Sequence, residues 1–421
     1  MQPKKRMLFI GDCAVNTGFA KSAHAYLTAL EPDYDITVLA LGYVGDSHEV
    51  QRQPWKLYSA GAGGDMLGLG RVKDMLERSK PHVVVVQNDP WNFPHYLQRI
   101  GSAAPVVGIV AVDGKNCAGT KMNSAGPRAV APGLSGGAQG GRWPGLQGAI
   151  FWTKFAEAEA RAGGYTGHTD VVPLGVDLDV FRPVDRAAQR AQWGLDKVLA
   201  QNNLPPDTFI VGYVGRNQHR KRLDLLVEYF AEWTKTYNRK DAALWIQRAP
   251  TGEQAFDIEQ LAKYHGIASQ LLLPGVANDN SGLSEQLLAN VYSVFDIMAT
   301  TTMGEGWGLP QMEGMACGIP QVVPMWSALE EWTAGAAVQV PCTTYAATPN
   351  GPNTIGGIAD RREFCAALER LYYDEDLRRQ KRDAGLQLVA RPEFRWEQVG
   401  ADMAAAIGRA LAAKPLQAVT A

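Results

Sequence analysis

Two glutamates eight residues apart, Glu305 and Glu313, stand in the string GEGWGLPQMEGMACGIPQVV over 304–323. An ionised carboxylate accepts two hydrogen bonds side by side, which suits the neighbouring hydroxyls of a ribose or a hexose. The string follows an apolar run and turns through Gly304, Gly306 and Gly308, where backbone lacking Cβ lets N–H groups approach a bound molecule. It then enters a predicted helix, whose N-terminus favours an anionic or oxygen-rich partner. The spacing puts Glu305 in the turn and Glu313 about one turn inside the helix. An ordinary strand–turn–helix with solvated glutamates would account for either residue alone, but not for the whole string.

A second constellation lies in VGYVGRNQHRKRLDLLVEYF (211–230), which reads as a strand, a polar turn and an amphipathic helix. Arg216 and Lys221 flank the turn, five residues apart. Cations are disfavoured at a helix N-terminus, so two of them there point to an anionic ligand rather than to a bare helix start. A departing diphosphate is one such anion, and an Arg/Lys pair stabilises it without a metal.

The elements that must position these residues repeat in two sets. Apolar runs at 7–12, 36–41, 82–87, 106–112, 149–153 and 170–174 alternate with helical stretches such as 18–30 and 65–79. After a connecting stretch around GVDLDVFRPVD (175–185), strands are again predicted at 209–215, 243–249, 270–275, 295–301 and 319–324. Continuous apolar strands alternating with helices predict parallel sheets covered on both faces. The fold class is therefore α/β, with two doubly wound, Rossmann-like domains facing a cleft and ligands at the carboxyl ends of their strands. The domains are predicted over 1–180 and 181–400, with a C-terminal helix, about 401–421, packing back on the first. One region breaks the rhythm: residues 113–148 are rich in Gly, Ala and Pro, and after Asp113 carry Lys115, Lys121, Arg128 and Arg142 with no acidic residue. It reads either as an acceptor-binding loop or as a flexible insertion.

Composition excludes several function classes. A net charge of −2 gives no overall basic field that would draw the chain to nucleic acid or an anionic membrane. No apolar run reaches the roughly 18 residues of a membrane span. The five cysteines are scattered without a C-x-x-C pair, and the seven histidines form no cluster. Reduced thiols and a cytoplasmic location are expected, with no disulfide framework, cofactor or metal.

The string E-G-W-G-L-P-x-x-E-x-M-A-C-G-x-P-x-V-V resembles the E-x7-E signature of the retaining, GT-B-fold glycosyltransferases of the large family 4. The resemblance implies that Glu305 contacts hydroxyls of the donor sugar and Glu313 holds the nucleotide ribose. It implies that the backbone of Gly306, Trp307, Gly308 and Leu309 faces the sugar or phosphate. The 211–230 segment is similar to the family's V-G-R-x(4)-K-G, which makes Arg216 and Lys221 the diphosphate clamp, with Arg222 in place of the family's glycine. VVPLGVDLDVFRP (171–183) and FRWEQVG (394–400) resemble the interdomain segment and the segment before the final crossover helix. ALEEW (328–332) falls where the family often has G-G-x-x-E, so Glu331 takes the Glu position and Ser327 and Ala328 replace the glycines.

In the first domain the pattern thins. Gly18, at the start of a helix, is one of the family's usual glycine pair, or only a helix-start residue. Asp113 stands where relatives carry a catalytic His, or is a turn Asp before Gly114. Asp89 and Trp91, in QNDPWNFPHYL (87–97), suit an acceptor hydroxyl and a sugar or base face, or a turn and a buried indole. Together these features predict transfer of a hexosyl group from a UDP- or GDP-sugar to an acceptor hydroxyl with retention. The acceptor would be a saccharide or glycoconjugate. T-G-F-A, D-P-W and A-L-E-E-W also resemble phage-encoded members, which makes a modified base in DNA, in a host cytoplasm, the alternative acceptor. A sugar-nucleotide 2-epimerase and an inactive sugar-nucleotide binding module are the competing classes.

Overall fold

The computed structural model describes residues 3–14, 17–45, 54–61, 64–116, 143, 145–248, 255–274, 283–348 and 354–413. Lys121 and most of the 113–148 stretch lie outside these residues. The chain divides into two compact units, one of Met1–Gly175, Asn350–Thr354 and Glu393–Ala421, the other of Val176–Pro349 and Ile355–Pro392.

The first unit is built on β1 (Lys5–Gly11), β2 (Tyr34–Ala40), β3 (Lys56–Ser59), β4 (Val83–Asn88), β5 (Val106–Val110), β6 (Leu146–Phe151) and β7 (His168–Val171). Their order is β3-β2-β1-β4-β5-β6-β7, every pairing parallel. Met7, Leu8, Phe9 and Ile10 are all fully buried, as the central strand of a sheet covered on both faces must be. The strand order reverses between β1 and β4, the switch point at which open α/β sheets receive ligands. The Trp396–Ala412 helix docks on this unit through small residues. A Cβ on Gly148 would sit 2.7 Å from that of Ala410, and one on Gly400 2.8 Å from the Ala25 carbonyl. Arg409 then pairs with Asp170 at 2.8 Å.

The second unit repeats the plan with β8 (Phe209–Gly215), β9 (Ala242–Arg248), β10 (Leu271–Leu272), β11 (Ile297–Ala299), β12 (Gln321–Met325), β13 (Val338–Ala347) and β14 (Ile355–Ala359), ordered β10-β9-β8-β11-β12-β13-β14. Its switch point lies between β8 and β11. Asp296 pins the lower ends of those two strands, accepting from Arg186 and Arg190 at 2.6 Å and from the Ile210 N–H at 2.7 Å. Both units are thus Rossmann-like α/β folds, as the alternating pattern predicts.

Three strands fall outside the predicted set. β3 is short and only half-buried, while β13 and β14 form an antiparallel pair at the edge of an otherwise parallel sheet. β5 also stops at Val110 rather than 112. Among the described residues no helix is long and apolar enough to cross a membrane.

Close packing beside the second switch point depends on glycine. A Cβ on Gly212 would lie 2.2 Å from the ring of Phe295, which is fully buried. Gly212→Ala must displace that ring and is expected to destabilise the protein by about 2–3 kcal/mol, read as a lower midpoint in urea unfolding at unchanged slope.

Candidate functional site

The chain leaves β8 at Gly215, passes Arg216 and makes a single 3-10 turn, His219–Lys221. Arg222 then adopts φ 49°, and the Leu223–Thr236 helix begins. The loop after the neighbouring β11 is knitted to it. Thr301 Oγ1 donates to the Arg222 carbonyl at 2.7 Å, the Met303 N–H to the Arg220 carbonyl at 2.7 Å, and Arg220 Nη1 to the Gly304 carbonyl at 2.8 Å. Two loops from adjacent strands therefore behave as one edge, and Glu305 sits in it.

Glu305 is 5% exposed. Its Oε1 accepts from Lys221 Nζ at 2.5 Å and its Oε2 from Arg220 Nη1 at 3.0 Å. Burial alone would push the carboxyl up, but Lys221 and then Arg220 overrule it and hold the pKa at about 2. The carboxylate is therefore ionised across the physiological range, an acceptor and not a proton donor. Arg220 is a partner that the sequence reading missed; its signal was the basic run HRKR (219–222), of which only Lys221 is singled out by the motif. Arg216 is half-buried and forms no ion pair with a described residue.

At two of the three positions where the resembled family carries glycine, the replacement has a physical explanation. Arg222 and Ser327 both stand at positive φ, 49° and 52°, a conformation that disfavours side chains other than glycine. Each is compensated. Arg222 Nη2 pairs with Asp224 at 2.8 Å. The Ser327 hydroxyl accepts from the Glu305 N–H at 3.0 Å and donates back to the Glu305 carbonyl at 3.2 Å. Ser327 thus fixes the backbone of the residue that Lys221 and Arg220 fix by its side chain.

The Leu309–Ala316 helix starts at Gly308, φ 96°, and buries Leu309, Gln311, Met312, Glu313, Gly314, Met315 and Ala316. The first N–H groups of a helix have no intrahelical acceptor, which leaves the Gly308–Leu309 turn suited to oxygen atoms. Gln311 Oε1 is buried there without a hydrogen-bond partner among the described residues, and a Cβ on Gly308 would stand 2.9 Å from it. Glu313, 4% exposed, accepts from the Tyr292 hydroxyl at 2.7 Å. Burial, and then Glu313, push the Tyr292 phenol well above its ordinary pKa, so it stays a donor.

The Trp307 ring is a packing element: it stacks on Trp332 at 5.3 Å and 11°, and Trp332 Nε1 donates to the Trp307 carbonyl at 2.7 Å. Gly306 belongs to the same turn. Glu331 is exposed on the short Ser327–Trp332 helix. The second unit therefore gathers Arg216, Lys221, Glu305 and the 306–309 turn at the carboxyl edge of β8 and β11, with Glu313 buried in the helix behind.

The remaining predicted residues belong to the first unit, after the carboxyl ends of the adjacent strands β1, β4 and β5. Gly18 is the first residue of the Gly18–Leu30 helix, capped by Thr17, whose hydroxyl accepts from the Ala20 N–H and donates to Asp12 at 2.8 Å. Asp89 donates its N–H to Asn88 Oδ1 at 2.8 Å and opens the Pro90–Asn92 turn. Trp91 packs its ring partly buried against the core. Asp113 lies three residues beyond the end of β5, and Lys115 is exposed.

Residues 196–326, which contain Arg216, Lys221, Glu305 and Glu313, match the family model described as Glycosyl transferases group 1. The D-inositol 3-phosphate glycosyltransferase of Segniliparus rotundus is 34% identical over 36% of this chain and 31% of its own length. The protein of the same name from Stackebrandtia nassauensis is 29% identical over 61% of this chain and 53% of its own. The chain spans about a third to a half of the length of these curated relatives. Among solved structures, a sucrose-phosphate synthase from Thermosynechococcus elongatus superposes with a TM-score of 0.68 at 17% identity, covering 97% of this chain and 100% of that one. Anabaena HepE in complex with UDP-glucose gives 0.67 at 13% identity, covering 96% and 100%. This chain shares its fold with these proteins.

Two outcomes are expected of the Glu305 cluster. Because its folded pKa lies below that of an unfolded carboxyl, the ion pairs contribute fully above the ordinary carboxylate range and are lost as pH falls toward 2. Glu305→Gln should therefore lower the thermal midpoint at pH 7, by the equivalent of about 3 kcal/mol, with a gap to the wild type that narrows at pH 3.5. Ser327→Ala keeps the left-handed side chain and loses both hydrogen bonds, whereas Ser327→Gly loses the bonds but relieves the backbone. Unfolding in urea should find the alanine variant the less stable of the two by about 1 kcal/mol.

Proposed function

We propose that this protein is a glycosyltransferase that moves a hexosyl group from a nucleotide-diphosphate sugar to an acceptor hydroxyl with retention of anomeric configuration. The observation that carries the reading is the ionised, buried Glu305, fixed by Lys221, Arg220 and Ser327 beside an Arg216 that has no ion-pair partner among the described residues. A fixed carboxylate acceptor beside a guanidinium open to an anion suits a sugar joined to a diphosphate. UDP is the favoured nucleotide, in line with the UDP-glucose complex of HepE. Glu305 accepts from sugar hydroxyls, the 306–309 turn meets sugar or phosphate oxygens, and Glu313 takes the ribose.

In the reaction the bond between the anomeric carbon and the diphosphate oxygen breaks, and its electron pair leaves with the diphosphate. The acceptor oxygen bonds to the same carbon on the same face, and its proton passes to the departing phosphate. Arg216 and Lys221 lower the barrier by stabilising the charge that grows on the leaving group, and Glu305 positions the sugar. The acceptor is a saccharide or glycoconjugate hydroxyl, and Asp89, Trp91, Asp113 and Lys115, after the ends of adjacent strands of the first unit, are its candidate contacts.

A panel of UDP-, GDP-, ADP- and dTDP-sugars, with and without saccharide, inositol phosphate and hydroxymethylated-DNA acceptors, tests the reading by nucleotide release. Release that requires an acceptor supports it. Conversion of the donor sugar without acceptor would make the protein an epimerase, and no release from any donor would make it a binding module. Arg216→Ala is expected to cut turnover at least about a hundredfold with an unchanged melting temperature. Lys221→Ala should cut turnover as deeply but also melt earlier, because it leaves the buried Glu305 carboxylate with one partner fewer.

A further inference from the structure

A guanidinium withdrawn from water without a partner is costly, so proteins rarely leave one half-buried and unanswered. The second unit follows this rule almost throughout. Arg186 and Arg190 share Asp296, Arg220 holds Glu305, Arg222 holds Asp224, and Arg239 holds Glu369. Arg378 donates to the carbonyls of Leu371 and Tyr372 at 2.7 and 2.6 Å. Two half-buried arginines form no hydrogen bond through their side chains, and no ion pair, with any described residue: Arg216, and Arg248 at the end of β9. Arg248 Nε is buried outright with no hydrogen-bond partner among the described residues.

The sheet register places these two together. Arg248 is paired with Gly215, the residue before Arg216, and neighbouring strands lie about 4.8 Å apart. Alternation along β9 puts Leu244, Ile246 and Arg248 on one face, and Tyr213, opposite Ile246, shares it. The Tyr213 hydroxyl donates to the Arg216 carbonyl at 3.2 Å, so the backbone of Arg216 lies over the face that carries Arg248. Lys221, by contrast, is already bonded to Glu305, and its charge is partly neutralised before any ligand arrives. Arg216 alone would then face a diphosphate that carries several negative charges.

We infer that Arg248 is a second diphosphate-binding arginine, which with Arg216 grips the nucleotide from the ends of β8 and β9. The inference rests on the proposed donor class and adds a residue that neither motif contains. Guanidiniums from two adjacent strands can take oxygens of successive phosphates, each through its planar fork. The bound anion supplies the partner that the fold withholds.

Inorganic pyrophosphate, which has neither base nor sugar, is the probe. Its affinity for the full chain is measured by titration calorimetry, and its protection by thermal shift, for the wild type, Arg216→Met and Arg248→Met. The expected result is that each substitution weakens pyrophosphate about tenfold or more, while the ligand-free melting temperature of Arg248→Met equals or exceeds that of the wild type. A merely structural arginine would give the reverse, a lower melting temperature with unchanged affinity, and that result overturns the inference. Weakened binding in Arg216→Met but not in Arg248→Met overturns it too, and leaves the donor reading intact. Absence of pyrophosphate binding by the wild type overturns both. Should Arg248→Met fail to fold, Arg248→Lys decides: affinity reduced from that of the wild type supports the role, and affinity unchanged from the wild type rejects it.

Discussion

Glu305 between Lys221 and Arg220 is the interaction on which the carboxyl edge of the second unit's sheet depends. A carboxylate at 5% exposure is tolerable only with close cations, and both cations come from the loop of the neighbouring strand. The same contact therefore sets a side-chain position, an ionisation state and the distance between two loops. The Met303 N–H and the hydroxyls of Thr301 and Ser327, each bonded to backbone, hold that arrangement from outside the charges, so the carboxylate does not have to organise its own surroundings. Preorganisation of this kind is where a site acting through fixed charges gains its strength.

Much of the fold was legible because buried parallel strands write themselves as unbroken apolar runs. VVVV in β4 and MLFI in β1 have no polar face to obscure them. The strands that escaped lack that signature. KLYS (β3) is a half-buried edge, VQVPCTTYAA (β13) contains proline and a mostly exposed second half, and IGGIA (β14) is interrupted by glycines. At edges the hydrophobic requirement falls away, and with it the signal.

The site was legible to the extent that it depends on a string. Glu305, Glu313, Arg216 and Lys221 follow from types and spacing. Arg220 could not be separated from three basic neighbours, because which of them turns inward depends on a single 3-10 turn and on Arg222 standing at positive φ. Ser327 reads as a lost glycine in sequence, yet it keeps glycine's backbone conformation and adds a hydroxyl that clasps Glu305. Arg248 reads as the tail of a strand, and only the absence of any described partner sets it apart.

The helix that begins at Gly308 has seven of its eight residues buried, with Gly314 pressed against Met298 and Gln321. A segment so enclosed has little room to drift, since almost any exchange of volume along it is felt by the sheet below. Diversity in what this site binds must then arise elsewhere, in stretches that the packing does not police. For anyone reshaping its selectivity, a substitution along this helix carries a stability cost that one in an exposed loop does not.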